Sequence, residues 1–166
     1  FASMIQEGEA RLHRLGGLVA NALFNERFDL KSVVVGEVPS TKLRFEYAQS
    51  ISAKALYAET DLALGNRILS QMRFAGPDAS ETATLVANFV EYQPTALNRF
   101  AVHKMTTRIK AEEELWNKVC DELFSLDTLV ARDKELRSLS RYVKDVFGLK
   151  IVVGKPEDAQ ELQETL

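Results

Sequence analysis

The residues best suited to chemistry gather in one stretch, Arg132-Asp-Lys-Glu-Leu-Arg-Ser-Leu-Ser-Arg-Tyr-Val-Lys-Asp-Val-Phe-Gly-Leu-Lys-Ile-Val-Val153. Lys134, Arg137, Arg141 and Lys144 recur at three- and four-residue steps, so on a helix they share one face. Leu136, Leu139, Val143, Val146 and Phe147 make another face. Apolar below and basic above is the ordinary pattern of a surface helix with solvated charge. Two features point further. Lys150 and Gly154-Lys155 add cations just beyond the helix end. Asp145 would stand in its last turn, where the helix dipole disfavours a negative charge. A carboxylate there is suited to a cation, and magnesium commonly takes one or two carboxylates together with substrate phosphates. The chemistry that such a set implies is the handling of phosphate groups.

Other reactive side chains carry less. His13 and His103 sit on separate segments with no second ligand at helical spacing, so each is read as a surface or packing residue. Cys120 follows Val119 on an apolar stripe and reads as a buried thiol. Phe100 and Trp116 are core candidates, and Gly36 and Gly154 form no phosphate-binding glycine loop. Every formal charge from Thr95 to Lys110 is positive (Arg99, Lys104, Arg108, Lys110), but scattered surface charge explains that run better than nucleic-acid contact. Glu112 to Glu114 then reverse the sign and read as a solvated face.

The 166 residues suffice for a domain with a real core. A net charge of −3 argues against a general nucleic-acid binder. The single cysteine excludes an internal disulfide, which fits a reducing compartment such as the cytoplasm or an organelle matrix or stroma. No apolar run reaches membrane-spanning length, and the first residues lack the pattern of a secretory signal.

Periodicity predicts a mainly α chain. Ser3 to Phe28 reads as an amphipathic helix interrupted by Gly16-Gly17, and Val33 to Pro39 as a short strand or extended arm. Ser40 or Thr41 caps a helical region running to Ala58, and Thr60-Asp61 caps another through Met72, stopped by Gly76-Pro77-Asp78. A short helix is expected from Ser80 to Tyr92, then a break at Gln93-Pro94. A long helix is expected from Thr95 to Phe124, with Leu97, Phe100, Ala101, Met105 and Ile109 on its stripe. After a connection over Leu126 to Ala131 comes the basic helix from Asp133 to Phe147, closed by Gly148. Leu149 to Val153 is a strand, and Gly154 to Asp158 a turn into a last acidic helix. The expected organisation is a helical domain over 1–130, followed by a strand–turn–helix over 131–166 that opens an incomplete α/β unit. The strand needs a partner. Ser32 to Val38 could serve, but a sheet continuing beyond Leu166 is the expectation.

Asp145-Val-Phe-Gly-Leu-Lys-Ile-Val-Val153 resembles the first-strand signature of the RelA/SpoT nucleotidyltransferase family: Asp, two residues, Gly, one residue, Arg, then Ile or Val. The resemblance covers about residues 132–166. It implies transfer of pyrophosphate from ATP to GTP or GDP. It makes Asp145 the magnesium ligand, puts Lys150 where the family has an adenine-stacking Arg, and makes Arg132 and Lys134 the phosphate-binding pair. Arg141 joins them as a further candidate cation. Lys150 is a point charge in place of a planar guanidinium. The resemblance also implies a second acidic residue and a guanine-stacking Tyr beyond Leu166, so the chain as it stands is expected to be inactive. The alternative is a non-catalytic helical scaffold subunit whose strand edge is completed by a protein partner.

Overall fold

The computed structural model describes residues 2–109 and 147–166. The expectations that fall on 110–146 lie outside the described residues. These are the second half of the long helix, the boundary at residue 130, and the basic helix with Arg132, Lys134, Arg141 and Asp145.

In chain order the elements are α1 (Ala2–Phe24), β1 (Phe28–Glu37), β2 (Arg44–Ile51), α2 (Ala53–Ala58), α3 (Asp61–Ser70), β3 (Phe74–Ala75), β4 (Ser80–Glu81), β5 (Thr84–Pro94), β6 (Val102–Ile109), β7 (Phe147–Val153) and α4 (Pro156–Thr165). Five strands form one antiparallel sheet in the order β2–β1–β5–β6–β7, and β3 with β4 forms a separate short ribbon. The mainly α expectation is therefore overturned. Three expected helical stretches are strands instead: 44–51, 84–94 and 102–109.

The reason is local ambiguity resolved by strand pairing. Met105 and Ile109 fit a helical stripe, but Met105 and Thr107 also alternate with Lys104, Thr106 and Arg108. The residues Val102, Thr106 and Thr107 favour strand. In the sheet, Met105 and Thr107 are fully buried while Lys104 and Arg108 are exposed. On β5, Val90 and Tyr92 are buried on the same side as Met105 and Thr107, and Glu91 between them is buried too. The strand Leu149 to Val153 is present, lengthened to start at Phe147, so Phe147 and Gly148 do not end a helix. Its partner is β6, with Lys150 opposite Thr106 and Ile151 opposite Met105. Ser32 to Glu37 instead pairs with β2 and β5.

The described helices gather on one side of the sheet. Ala20, Leu23 and Phe24 of α1 and Leu162 of α4 share a core with Val90, Tyr92, Val102 and Met105. Leu64, Ile68 and Leu69 of α3 pack on Val34 of β1. The first helix stops at Phe24 because Asn25 and Glu26 take left-handed backbone, φ 50° and 61°. Asn tolerates that conformation well, so Asn25 serves as the stop signal. No helix among the described residues is long and apolar enough to cross a membrane.

Gly16 and Gly17 do different jobs. A Cβ on Gly16 would come within 2.9 Å of the Tyr92 hydroxyl and of the Thr107 methyl, so the missing side chain lets α1 lie on the sheet. A Cβ on Gly17 would meet only the Tyr57 hydroxyl, at 4.0 Å. Gly17→Ala is expected to stabilise by about 0.5–1 kcal/mol through helix propensity. Gly16→Ala should destabilise by about 1–3 kcal/mol through overpacking. Urea denaturation of the two variants checks this, and equal midpoints would remove the close-approach role of Gly16.

Candidate functional site

Three ionisable side chains meet under α1. Glu9 and His13 lie one helical turn apart, so both point from the same face. Across from them begins α3. Its start is set by Thr60, whose hydroxyl accepts from the Ala63 N–H at 3.1 Å. Glu9 Oε1 accepts the Asp61 N–H at 2.7 Å, so the carboxylate of one helix caps another. That end of α3 carries free N–H groups and the positive end of the dipole, which favours both carboxylates there. The Asn88 side chain, on β5, donates to the Asp61 carbonyl. Gly65 lets this contact form, since a Cβ there would stand 2.7 Å from Asn88 Nδ2.

His13 Nε2 is 2.9 Å from Asp61 Oδ1 and 3.8 Å from Glu9 Oε1. The side chains are nearly out of water: His13 is 2 % exposed, Asp61 5 % and Glu9 8 %. Two buried atoms, His13 Nδ1 and Asp61 Oδ2, have no hydrogen-bond partner. An open cleft of about 270 Å³ reaches this place, with Glu9, His13, Tyr57, Glu59 and Thr60 in its lining. The Tyr57 ring stands edge-on to the imidazole, centroids 6.2 Å apart. Beneath α1 the hydroxyls of Tyr92 and Thr107 are also buried without a hydrogen-bond partner. Burial first, then the charges of Tyr57 and Asp61, hold that phenol well above its usual range.

Burial opposes a charge on His13, but hydrogen bonds and attraction from Asp61 and Glu9 outweigh it and push the imidazole up to about 9. A base whose folded pKa exceeds its unfolded value stabilises the protein fully below the unfolded pKa, here 6.5, and loses that contribution as pH rises to about 9. Stability of the chelator-treated protein is therefore expected to fall by about 2–3 kcal/mol between those limits. The same decline should be missing in His13→Gln. Urea melts across this range decide it, and matching profiles would refute the ion-pair assignment.

The expected site residues fall elsewhere. Lys150 is exposed on β7. Arg132, Lys134, Arg141 and Asp145 lie outside the described residues. Phe100 is in the core as expected, with the Arg99 guanidinium 4.9 Å above its ring and Arg99 bonded to Glu161. His103 is exposed beside Gly154. The reading of His13 as lacking a second ligand at helical spacing is corrected by Glu9, four residues before it. That Glu-x-x-x-His spacing was the available signal. Asp61 gave none, being 48 positions away from His13.

Comparison with protein-family models, curated proteins and solved structures finds no match to this chain.

Proposed function

We propose that the chain binds nucleotide phosphates as part of a RelA/SpoT-type unit that transfers pyrophosphate from ATP to GTP or GDP. The observation that supports it is the placement of Lys150. It pairs with Thr106, whose strand neighbours on the same side are Lys104 and Arg108. All three cations are exposed, on the sheet side opposite buried Met105 and Thr107. Lys104 also bonds Glu91 at 3.0 Å, which holds its ammonium on this face. A cationic strand face suits polyphosphate, and transfer of such groups relies on positioning and charge neutralisation more than on covalent chemistry. Magnesium, assigned by the resemblance to Asp145, would supply further charge neutralisation, with Arg132, Lys134 and Arg141 as additional phosphate partners.

Isothermal titration with a non-hydrolysable ATP analogue and magnesium tests the reading. Binding is expected at submillimolar concentration. Lys150→Glu should weaken it at least about tenfold by reversing a charge beside the phosphates. Lys150→Arg should retain or tighten it, because a guanidinium also stacks on an adenine ring. Lys150 is exposed, so neither change should alter the fold. No heat at millimolar nucleotide would retire the transferase reading in favour of a non-catalytic interaction module.

A further inference from the structure

We propose that Glu9, His13 and Asp61 bind a divalent transition-metal ion of the zinc, cobalt or manganese class. The site is separate from the Lys150 face and independent of the nucleotide reading. Three donors from two helices converge, and their ligand atoms all lie within 4.8 Å of one another. Donors sharing one ion at about 2.0–2.2 Å stand roughly 3–4 Å apart. His13 Nε2 meets that spacing to Glu9 Oε1, at 3.8 Å, and is hydrogen-bonded to Asp61 Oδ1 at 2.9 Å, so a bound ion replaces the proton of that bond and parts the pair slightly.

The second, independent observation is an unpartnered polar atom on a side chain that is 5 % exposed. Asp61 Oδ2 is buried and accepts nothing. Such a group costs about 1–3 kcal/mol when left unsatisfied, so its persistence calls for a ligand. Charge points the same way. Two buried carboxylates need two positive charges, and a single imidazolium supplies one.

The donor set selects the ion. Magnesium and calcium take oxygen ligands, whereas an imidazole among carboxylates suits zinc and its neighbours. The donors are already held. Glu9 is fixed by the Asp61 N–H, and Asp61 by its place at the capped start of α3 and by Asn88. The cleft lined by Glu9 and His13 gives the ion a way in. Three protein donors also leave a coordination position for water or a ligand oxygen, as in catalytic rather than structural zinc sites.

The test uses the full chain, stripped with chelator and titrated with Zn²⁺ by calorimetry and with Co²⁺ by visible absorption. One equivalent is expected at micromolar affinity or tighter, with a Co²⁺ d–d band. Glu9→Gln keeps an acceptor for the Asp61 N–H but removes one anionic donor. It should stay folded by circular dichroism and bind at least about tenfold more weakly. His13→Gln should abolish the Co²⁺ band. Lys150→Glu should leave metal affinity unchanged, which separates failure here from failure of the nucleotide reading. Absence of binding by the stripped wild type would overturn the proposal. So would equal affinity in folded Glu9→Gln, which would place the ion elsewhere. Should His13→Gln not fold, Glu9→Gln alone decides.

Discussion

Asp61→Ala is expected to lower the free energy of unfolding by about 3–5 kcal/mol, because it leaves a buried cation–anion cluster broken. In the metal-free protein His13 carries its charge through Asp61 first and Glu9 second. Without Asp61, its 2.9 Å partner is gone and the only carboxylate left in the cluster is 3.8 Å away. The imidazole must then stay charged with weak support or lose its proton and abandon Glu9. Removing the whole set of charges should do less harm. Glu9→Gln/His13→Gln/Asp61→Asn is expected to cost less than Asp61→Ala alone, since no buried charge remains unpaired. Urea denaturation at pH 6.5 with chelator present measures both. A loss below about 1 kcal/mol for Asp61→Ala would show that the cluster is as wet and loosely coupled as a surface pair.

Tyr92→Ala should cost a similar amount, about 3–5 kcal/mol, for a different reason. The ring lies fully buried at the centre of the sheet, between α1 and the strands, and packs on Phe28 with centroids 5.6 Å apart. Gly16 directly above is tight, so helix and sheet are in contact there and cannot close much further over a lost ring. Tyr92→Phe separates packing from polarity. The hydroxyl is buried without a partner, so deleting it should be neutral or stabilising by up to about 1 kcal/mol. Thermal melts of the two variants give the comparison. A clear loss in Tyr92→Phe would mean that the hydroxyl has a partner.

The cluster and the cationic strand face differ in how far they could be read ahead. Glu9 and His13 share a turn, so their meeting is a property of a single helix and follows from spacing. What spacing does not reveal is the burial of that face, and burial is what turns a common surface pair into a coupled site. Lys150 was singled out by its neighbours in sequence. Its companions Lys104 and Arg108 were not, because they join it only through the β6–β7 register.

Helix signals of local origin survived folding. Thr60 caps α3, and Pro156 with Glu157 and Asp158 opens α4. The β-branched run Ile151-Val-Val153 became strand. Each is decided by atoms a few residues apart: a hydroxyl on a free N–H, a ring that presets φ, a branched Cβ that restricts χ1. The sequence by itself thus determined α1, α3, β7 and α4. The tertiary structure decided 44–51, 84–94 and 102–109. Their apolar residues satisfy either period, and only hydrogen bonds to partner strands select the extended form. It also decided Asp61 as the third member of the site, since nothing local brings a residue 48 positions away to within 2.9 Å of His13. Packing of α1 and α3 on the same side of one sheet does.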